Sequence, residues 1–397
     1  MLGNRLAVVM ALITLIAGGT AAAQQLEPTK SQPKLVLAHY MPWFEAKPVS
    51  PHWGWHWTMN AYDPEKTSNG KRSIASHLYP MIGPYDSGDD RVIEYHILLM
   101  KVAGVDGVIV DWYGLQSHND YALLHRNTTR LVEHLDRIGL KFAICYEDQT
   151  VTELIKAGRL RNDQRVDHVV REIEWLRENW FSKPSYVRVD GAPLLLSFGQ
   201  SGLTDAEWSA CLSKSKSRIS YFSLHHRRSS AVGAFDWPLP KEGFSSIQRY
   251  YKDAANWQHA IPVAYPRFVD VYVDAKVGES YGRVEDQSGT FFSRTLELAL
   301  KSSAQVVQIA TWNDWGEGTV IEPSVEYGYR DLETIQKLKR QLVDPRFSFQ
   351  SADLRTPGML LKARNQGGDA LRLDHVQKLI SNGQVEAARA ELKAFAD

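Results

Sequence analysis

The chain has 397 residues, with 46 basic and 46 acidic side chains, 2 cysteines and 12 tryptophans. That length exceeds one small module and fits one large α/β domain or two ordinary ones. Zero formal net charge offers no basic surface for nucleic acid or anionic lipid, 44% hydrophobic residues excludes general disorder, and the distant Cys145 and Cys211 exclude a disulfide scaffold or a four-cysteine zinc site.

The chain opens with a targeting signal. Arg5 is the only charge before an apolar run from Leu6 to Ile16, and Ala21-Ala22-Ala23 forms a small-residue cleavage site. The run is short for a bilayer span, which needs roughly 20 residues. Residues 1–23 therefore read as a signal peptide and 24–33 as a flexible lead-in. No other segment is apolar enough to span a bilayer. The expected location is the bacterial periplasm or the extracellular space.

From Lys34 onward, short apolar runs alternate with longer amphipathic ones. Residues 35–40 predict a strand. Val92, Tyr95, Leu98, Leu99 and Val102 carry helical spacing over residues 91–103. Strands follow at 107–110, 141–146, 193–198 and 219–224, and a weaker one at 231–236. Helices are predicted at 121–138, 166–180, 205–214 and 245–259. The last units pair strands at 261–264 and 306–311 with helices at 291–302 and 332–343. The strands are continuously apolar, as in a parallel sheet buried on both faces. Eight such units over residues 34–348 predict a (β/α)8 TIM barrel. An open doubly wound sheet is the competing fold, but no glycine-rich phosphate loop follows the first strand. Residues 41–90 form a long first βα loop rich in Trp, Pro, Gly and Asp. Residues 349–397 form a polar tail whose stretches 372–380 and 385–395 predict a small helical hairpin.

Barrel chemistry collects at strand exits. The first exit and its loop offer His39, Tyr40, Trp43, Trp53, Trp55, His56 and Trp57. The second offers Asp111, Trp112 and Tyr113, the third Tyr146, Glu147 and Asp148. The seventh offers Tyr265, Arg267 and Asp270, and the eighth Trp312, Asn313, Asp314, Trp315 and Glu317. Sugars present apolar C–H faces and hydroxyl rims, so aromatic platforms beside carboxylates suit an oligosaccharide or polysaccharide. The densest stretch runs from Thr311 to Pro323. Its carboxylates Asp314 and Glu317 lie three residues apart, an acid and a base for one glycosidic bond. Gly316 and Gly318 permit the tight backbone this requires, and Glu322 is a third candidate carboxylate. His52 and His56 share the spacing of zinc-binding helices, but Pro51 and Gly54 break any helix there. No phosphate loop or nucleophile elbow is present. No cofactor and no metal is expected.

The Thr311–Pro323 segment resembles the signature of secreted sugar hydrolases in glycoside hydrolase families 99 and 71. The specific motif runs on to Tyr327-Gly328-Tyr329; weaker points of likeness are Tyr40-Met41-Pro42-Trp43, Gly107-Val108 through Asp111-Trp112-Tyr113, and Asp190-Gly191-Ala192-Pro193. The resemblance extends over nearly the whole mature length, to about residue 345. It implies Asp314 as base and Glu317 as acid/base. In family 99 the motif reads Glu-Trp-His-Glu, and that family is a retaining endo-α-mannosidase group thought to use the sugar's own 2-hydroxyl. Here Asp314 and Gly316 replace the first Glu and the His. Both look more like family 71, which cleaves α-1,3-glucan. The expected function is hydrolysis of an α-linked, mannan-like or glucan-like glycan. The alternatives are a non-catalytic glycan-binding protein on the same fold, or a polysaccharide-biosynthesis protein with a related motif.

Overall fold

The structure is a computed structural model that describes residues 34–199 and 201–395. The expected signal peptide and lead-in lie outside the described residues. Nine parallel strands build the central sheet: β1 (Leu35–Tyr40), β2 (Gly107–Trp112), β3 (Lys141–Tyr146), β4 (Ala192–Ser197), β5 (Ser220–Leu224), β6 (Gly233–Phe235), β7 (His259–Ile261), β8 (Val263–Ala264) and β9 (Val306–Ile309). Their hydrogen-bonded order is β7-β6-β5-β4-β3-β2-β1-β9-β8. Only Pro262 separates β7 from β8. Proline lacks the N–H that a continuous ladder needs, and here the chain changes partner: β7 pairs with β6, and β8 pairs with β9. The two pieces are one stave, so the sheet closes into the eight-stave TIM barrel expected.

The period of two along each strand divides the core. Leu37, Ile109, Ala143, Leu194, Phe222 and Phe235 share the cluster that fills the barrel. Val36, Ala38, Val108, Val110, Phe142, Ile144, Leu195 and Tyr221 share a second cluster, packed on the surrounding helices. Gly107 has a local reason: a Cβ there would come 2.0 Å from the Lys141 carbonyl oxygen on β3.

The helices start and stop on recognisable residues. Asp89 caps the helix Asp90–Ala103 by accepting from the Arg91 backbone N–H, and Gly104 closes it in the left-handed region at φ 88°. Thr204 and Glu207 form a reciprocal capping box at Asp205–Lys214. The long first loop holds a short helix, Trp55–Thr58, and a two-residue hairpin, Thr67–Ser68 with Lys71–Arg72. Asn69 and Gly70 both take positive φ in its turn, as such hairpins require. A helix at Gln149–Lys156 follows β3, where no element was expected. The tail carries three helices, Thr356–Asn365, Ala370–Ser381 and Val385–Lys393. Leu360, Leu373, Val376 and Leu392 join the cluster outside the barrel. Arg364 pairs with Glu94 at 2.6 Å, tying the tail to the Asp90–Ala103 helix.

Candidate active site

A cavity of about 690 Å³ opens at the C-terminal ends of the strands. Four buried or half-buried carboxyl-bearing residues share its wall, Asp111 at the end of β2, Glu147 just after β3, and Asp314 and Glu317 beyond β9, while the exposed Glu242, paired with Arg249, stands at its edge. His39, Trp43 and Tyr113 also line it. A smaller space of about 180 Å³ shares Trp43, Tyr113, Tyr272 and Asp314 with it and adds Trp55, His56 and Gly316. Trp43 stacks on His56 with ring centroids 4.1 Å apart and planes 7° apart, and His56 Nε2 lies 3.3 Å from Asp120 Oδ2.

The turn after β9 holds its shape through its own backbone. Thr311 Oγ1 accepts from the Asp314 N–H at 2.7 Å, and Asp314 Oδ1 accepts from the Glu317 N–H at 3.0 Å. The Gly318 N–H donates to the Asp314 carbonyl, with Gly318 at φ 68°. The Gly316 and Glu317 carbonyls accept from Val271 and Val269. Both carboxyl-bearing residues are thus locked to one rigid turn, as catalytic geometry requires.

Electrostatics separates the four acids. Burial pushes Asp314 up to about 6, while the backbone N–H groups of Glu317 and Gly316 favour its ionised form. Glu317 is raised well above its ordinary range, first through burial and then through the nearby Asp314 charge. Asp111 is raised by burial and by Asp314, and Glu147 by burial and by Asp111. Opposed protonation states in one site are what an acid and a base need. Burial drops His39 to about 3, so its ring is neutral. His39 Nδ1 faces Gln308 Oε1 at 3.4 Å, and Gln308 Nε2 donates to the Asp236 carbonyl. That arrangement assigns the ring proton to Nδ1 and leaves Nε2 as an acceptor. Three buried atoms on the cavity wall have no hydrogen-bond partner among the described residues: His39 Nε2, Asp111 Oδ1 and Glu317 Oε2. Unpaired buried polar atoms are costly, and substrate hydroxyls would satisfy them.

Potential metal-ligand atoms of His39, Asp111 and Cys145 lie within 4.8 Å of one another. Cation binding would need the thiolate and the carboxylate. Burial pushes the Cys145 thiol and the Asp111 carboxyl toward their neutral forms, which suits hydrogen bonding to an uncharged ligand better.

Of the exit candidates, Trp53, Trp57, Asp148, Arg267 and Asp270 line neither space, and neither do Tyr40, Trp112, Tyr146, Tyr265, Trp312, Asn313, Trp315 and Glu322, which were expected to touch substrate. Tyr40, Trp112 and Tyr146 follow His39, Asp111 and Cys145 by one position and so point the other way, toward the helices. Trp112 packs between Trp175 and Trp180, and Tyr40 Oη meets His96 Nδ1 at 3.0 Å. Tyr265 packs on Phe291. Trp312 is fully buried beside His96. Asn313, Trp315 and Glu322 all bond to Tyr85, behind the turn rather than in front of it. Residues that the sequence reading missed on the wall include Gln149, Phe198, Trp237, Phe268, Tyr272 and Tyr281. Trp237 meets His39 edge to face at 4.8 Å. The run Phe235-Asp236-Trp237-Pro238 at the exit of the weak sixth strand was the available signal.

Known proteins resemble the chain in sequence and in fold. Residues 34–224 match the profile of Glycosyl hydrolase family 99. The chain is 24% identical over 325 residues to the glycoprotein endo-alpha-1,2-mannosidase of Mus musculus, covering 72% of this chain and 65% of that protein. It is 21% identical over 309 residues to the glycoprotein endo-alpha-1,2-mannosidase-like protein of Danio rerio, covering 69% and 65%. The chain therefore spans slightly under two thirds of the length of these relatives. Among solved structures, the GH99 endo-alpha-mannosidase from Bacteroides thetaiotaomicron superposes with a TM-score of 0.58 at 19% identity, over 77% of this chain and 97% of that one. That likeness establishes the fold. Together the matches show that the chain is similar in sequence to glycoside hydrolases of family 99. The profile match ends at Leu224, the last residue of β5, upstream of Asp314 and Glu317. The roles of those two residues therefore rest on the geometry of the turn and on the motif.

Proposed function

We propose that the chain is an exported glycoside hydrolase that cleaves an α-linked glycan with Asp314 and Glu317. The observation that carries this reading is the pair itself. Two buried carboxyls sit on one rigid turn at the mouth of the barrel, and the nearby Asp314 charge adds to burial in pushing Glu317 well above the ordinary carboxyl range. At neutral pH Asp314 is the ionised base and Glu317 the protonated acid. Glu317 gives its proton to the departing glycosidic oxygen. Asp314 accepts a proton from the attacking hydroxyl, whether that belongs to water or to the sugar. Trp43, on its His56 stack, offers an apolar platform for a ring face. Neutral His39 and protonated Asp111 offer an acceptor and a donor for hydroxyls. Export rests on the N-terminal signal; among the described residues no helix is long and apolar enough to cross a membrane.

The substrate is mannan-like or glucan-like. The relatives named as endo-alpha-1,2-mannosidases favour an α-mannoside. Gly316 favours a departure from it. A Cβ at Gly316 would stand 2.9 Å from Met59 Cε, so methionine occupies the space that the family 99 histidine would enter. Incubation with α-mannans, α-1,3-glucans and host-type glycans, followed by product mass and anomeric NMR, tests the reading. Release of a defined oligosaccharide is expected, and it is lost in Asp314→Asn and Glu317→Gln. Near-parental turnover in both variants would overturn the assignment. Tight oligosaccharide binding without any cleavage would point to the non-catalytic alternative.

A further inference from the structure

Behind the turn that carries Asp314 and Glu317 lies a chain of buried polar groups that takes no part in the chemistry described above. Tyr85 Oη donates to Glu322 Oε2 at 2.7 Å. The same oxygen accepts from Asn313 Nδ2 at 3.1 Å and from the Trp315 indole N–H at 3.2 Å. Glu322 Oε1 meets His96 Nε2 at 3.0 Å, and His96 Nδ1 meets Tyr40 Oη at 3.0 Å. Tyr40, Tyr85, His96, Asn313, Trp315 and Glu322 are all buried, and none lines the catalytic cavity. One proton on Tyr85 and two incoming donors use the full bonding capacity of its hydroxyl.

The residues that Tyr85 grips flank Asp314 on either side. Asn313 also clamps Met41, accepting from its N–H at 2.8 Å and donating to its carbonyl at 3.0 Å. Met41 directly follows β1, so the network fastens the turn after β9 to the exit of β1. We propose that Tyr85, Glu322 and His96 form a positioning relay: Glu322, oriented by His96, fixes the rotation of the Tyr85 hydroxyl, and Tyr85 fixes the side chains of the two residues that flank Asp314. A fully satisfied buried network has one low-energy arrangement. A carboxylate misplaced by about 1 Å costs on the order of 100-fold in rate. The relay rests on Asp314 and Glu317 being the reacting pair.

The test compares Tyr85→Phe, Glu322→Gln and Glu322→Ala. The substrate is whichever of an α-1,2-linked mannotetraose and an α-1,3-linked glucotetraose the parent chain cleaves. Tyr85→Phe and Glu322→Ala are expected to lower kcat by about 10- to 100-fold with KM within about threefold. Glutamine keeps an acceptor for Tyr85, so Glu322→Gln is expected to recover most of the rate. A parental kcat in Tyr85→Phe, or a loss confined to KM, overturns the relay. A second readout needs no substrate: in protein labelled with 15N-tryptophan, the Trp315 indole signal shifts in Tyr85→Phe and Glu322→Ala and returns toward its parental position in Glu322→Gln. An unmoved signal also overturns the relay, and the two Glu322 variants carry the test should Tyr85→Phe fail to fold. Loss of turnover in Asp314→Asn with full turnover in Tyr85→Phe refutes positioning alone. Full turnover in Asp314→Asn refutes the pair itself.

Discussion

Removing the charge of Asp314 should stabilise the protein while abolishing turnover, and only above the pH at which that charge forms. The carboxyl is buried and pushed from its ordinary 3.8 up to about 6. A raised acid pKa means that the fold favours the protonated form. Its contribution to stability is complete below the unfolded pKa and is lost as pH rises through about 6. The difference of roughly 2.2 pH units, at 1.36 kcal/mol each, is about 3 kcal/mol at pH 8. At pH 4 it is well under about 1 kcal/mol. Asp314→Asn keeps an oxygen to accept from the Glu317 N–H but never ionises, so this loss disappears.

At about 2.1 cal/mol/K per residue, a chain of this size shifts by roughly 1–1.5 °C per kcal/mol. The variant should therefore melt about 4 °C above the parent at pH 8 and within about 1 °C of it at pH 4. Calorimetric or fluorescence-detected melting of both proteins across that range measures it, alongside turnover at each pH. A variant that melts lower than the parent at both pH values would refute the reasoning. So would a difference that does not depend on pH. In the first case the Asp314 side chain would be holding the fold rather than straining it; in the second the difference would not come from its ionisation.

Three further outcomes follow from the same geometry. The rate should rise with pH through about 6 as Asp314 ionises and fall at higher pH as Glu317 loses its proton; in Glu317→Gln, measured on an aryl glycoside whose leaving group needs no protonation, the alkaline limb should vanish. Trp43→Ala removes the ring stacked on His56 and should raise KM by about tenfold with kcat nearly unchanged; a fall confined to kcat would count against a platform role. Arg267 is buried, paired with Asp286 and Asp331, and donates to the Val320 carbonyl at 2.8 Å. Arg267→Met leaves Asp286 and Asp331 sharing Arg330 and should cost about 3 kcal/mol in denaturant unfolding; a loss below about 1 kcal/mol would show that the pairing is dispensable.

The barrel was legible because its strands are continuous apolar runs and its helices carry apolar positions at helical spacing. The predicted helix at residues 121–138 coincides with Tyr121–Ile138, and that at 205–214 with Asp205–Lys214. Elements defined by turns or pairings were not legible. Pro262 splits a stave by changing its partner, which no local pattern encodes. The Asn69-Gly70 hairpin has two-residue arms, too short to show alternation. The three-residue sixth strand gives only weak periodicity. Asp314 and Glu317 stood out because their turn is dense in carboxyls and glycines. His96 and Tyr85 could not stand out: one lies on an ordinary-looking helix and the other in the long first loop, and only the fold brings them to Glu322.

Strand parity explains which exit residues face the cavity. Along β1, Leu37 fills the barrel, so His39 continues inward and Tyr40 turns out; along β2, Ile109 sets the same course for Asp111 and against Trp112. In continuously apolar strands the polar interruption marks the inward row. His39, Asp111 and Gln308 all interrupt such runs, and all three are buried. The tryptophans divide on the same principle. Trp43 and Trp237 face the cavity and Trp55 stands at its rim, whereas Trp112, Trp175 and Trp180 form one packed group outside the barrel. Trp57 and Trp315 pack behind the turn around Tyr85. Most of the tryptophan surplus therefore never meets a ligand. Its effect on the site is dielectric. Large apolar side chains keep water from the rear of the turn, and desolvation is the leading cause of the raised Asp314 and Glu317 values. A smaller, wetter packing at Trp57 or Trp315 would let both carboxyls fall toward their ordinary range, and Glu317 would lose its proton before it could serve as an acid at neutral pH.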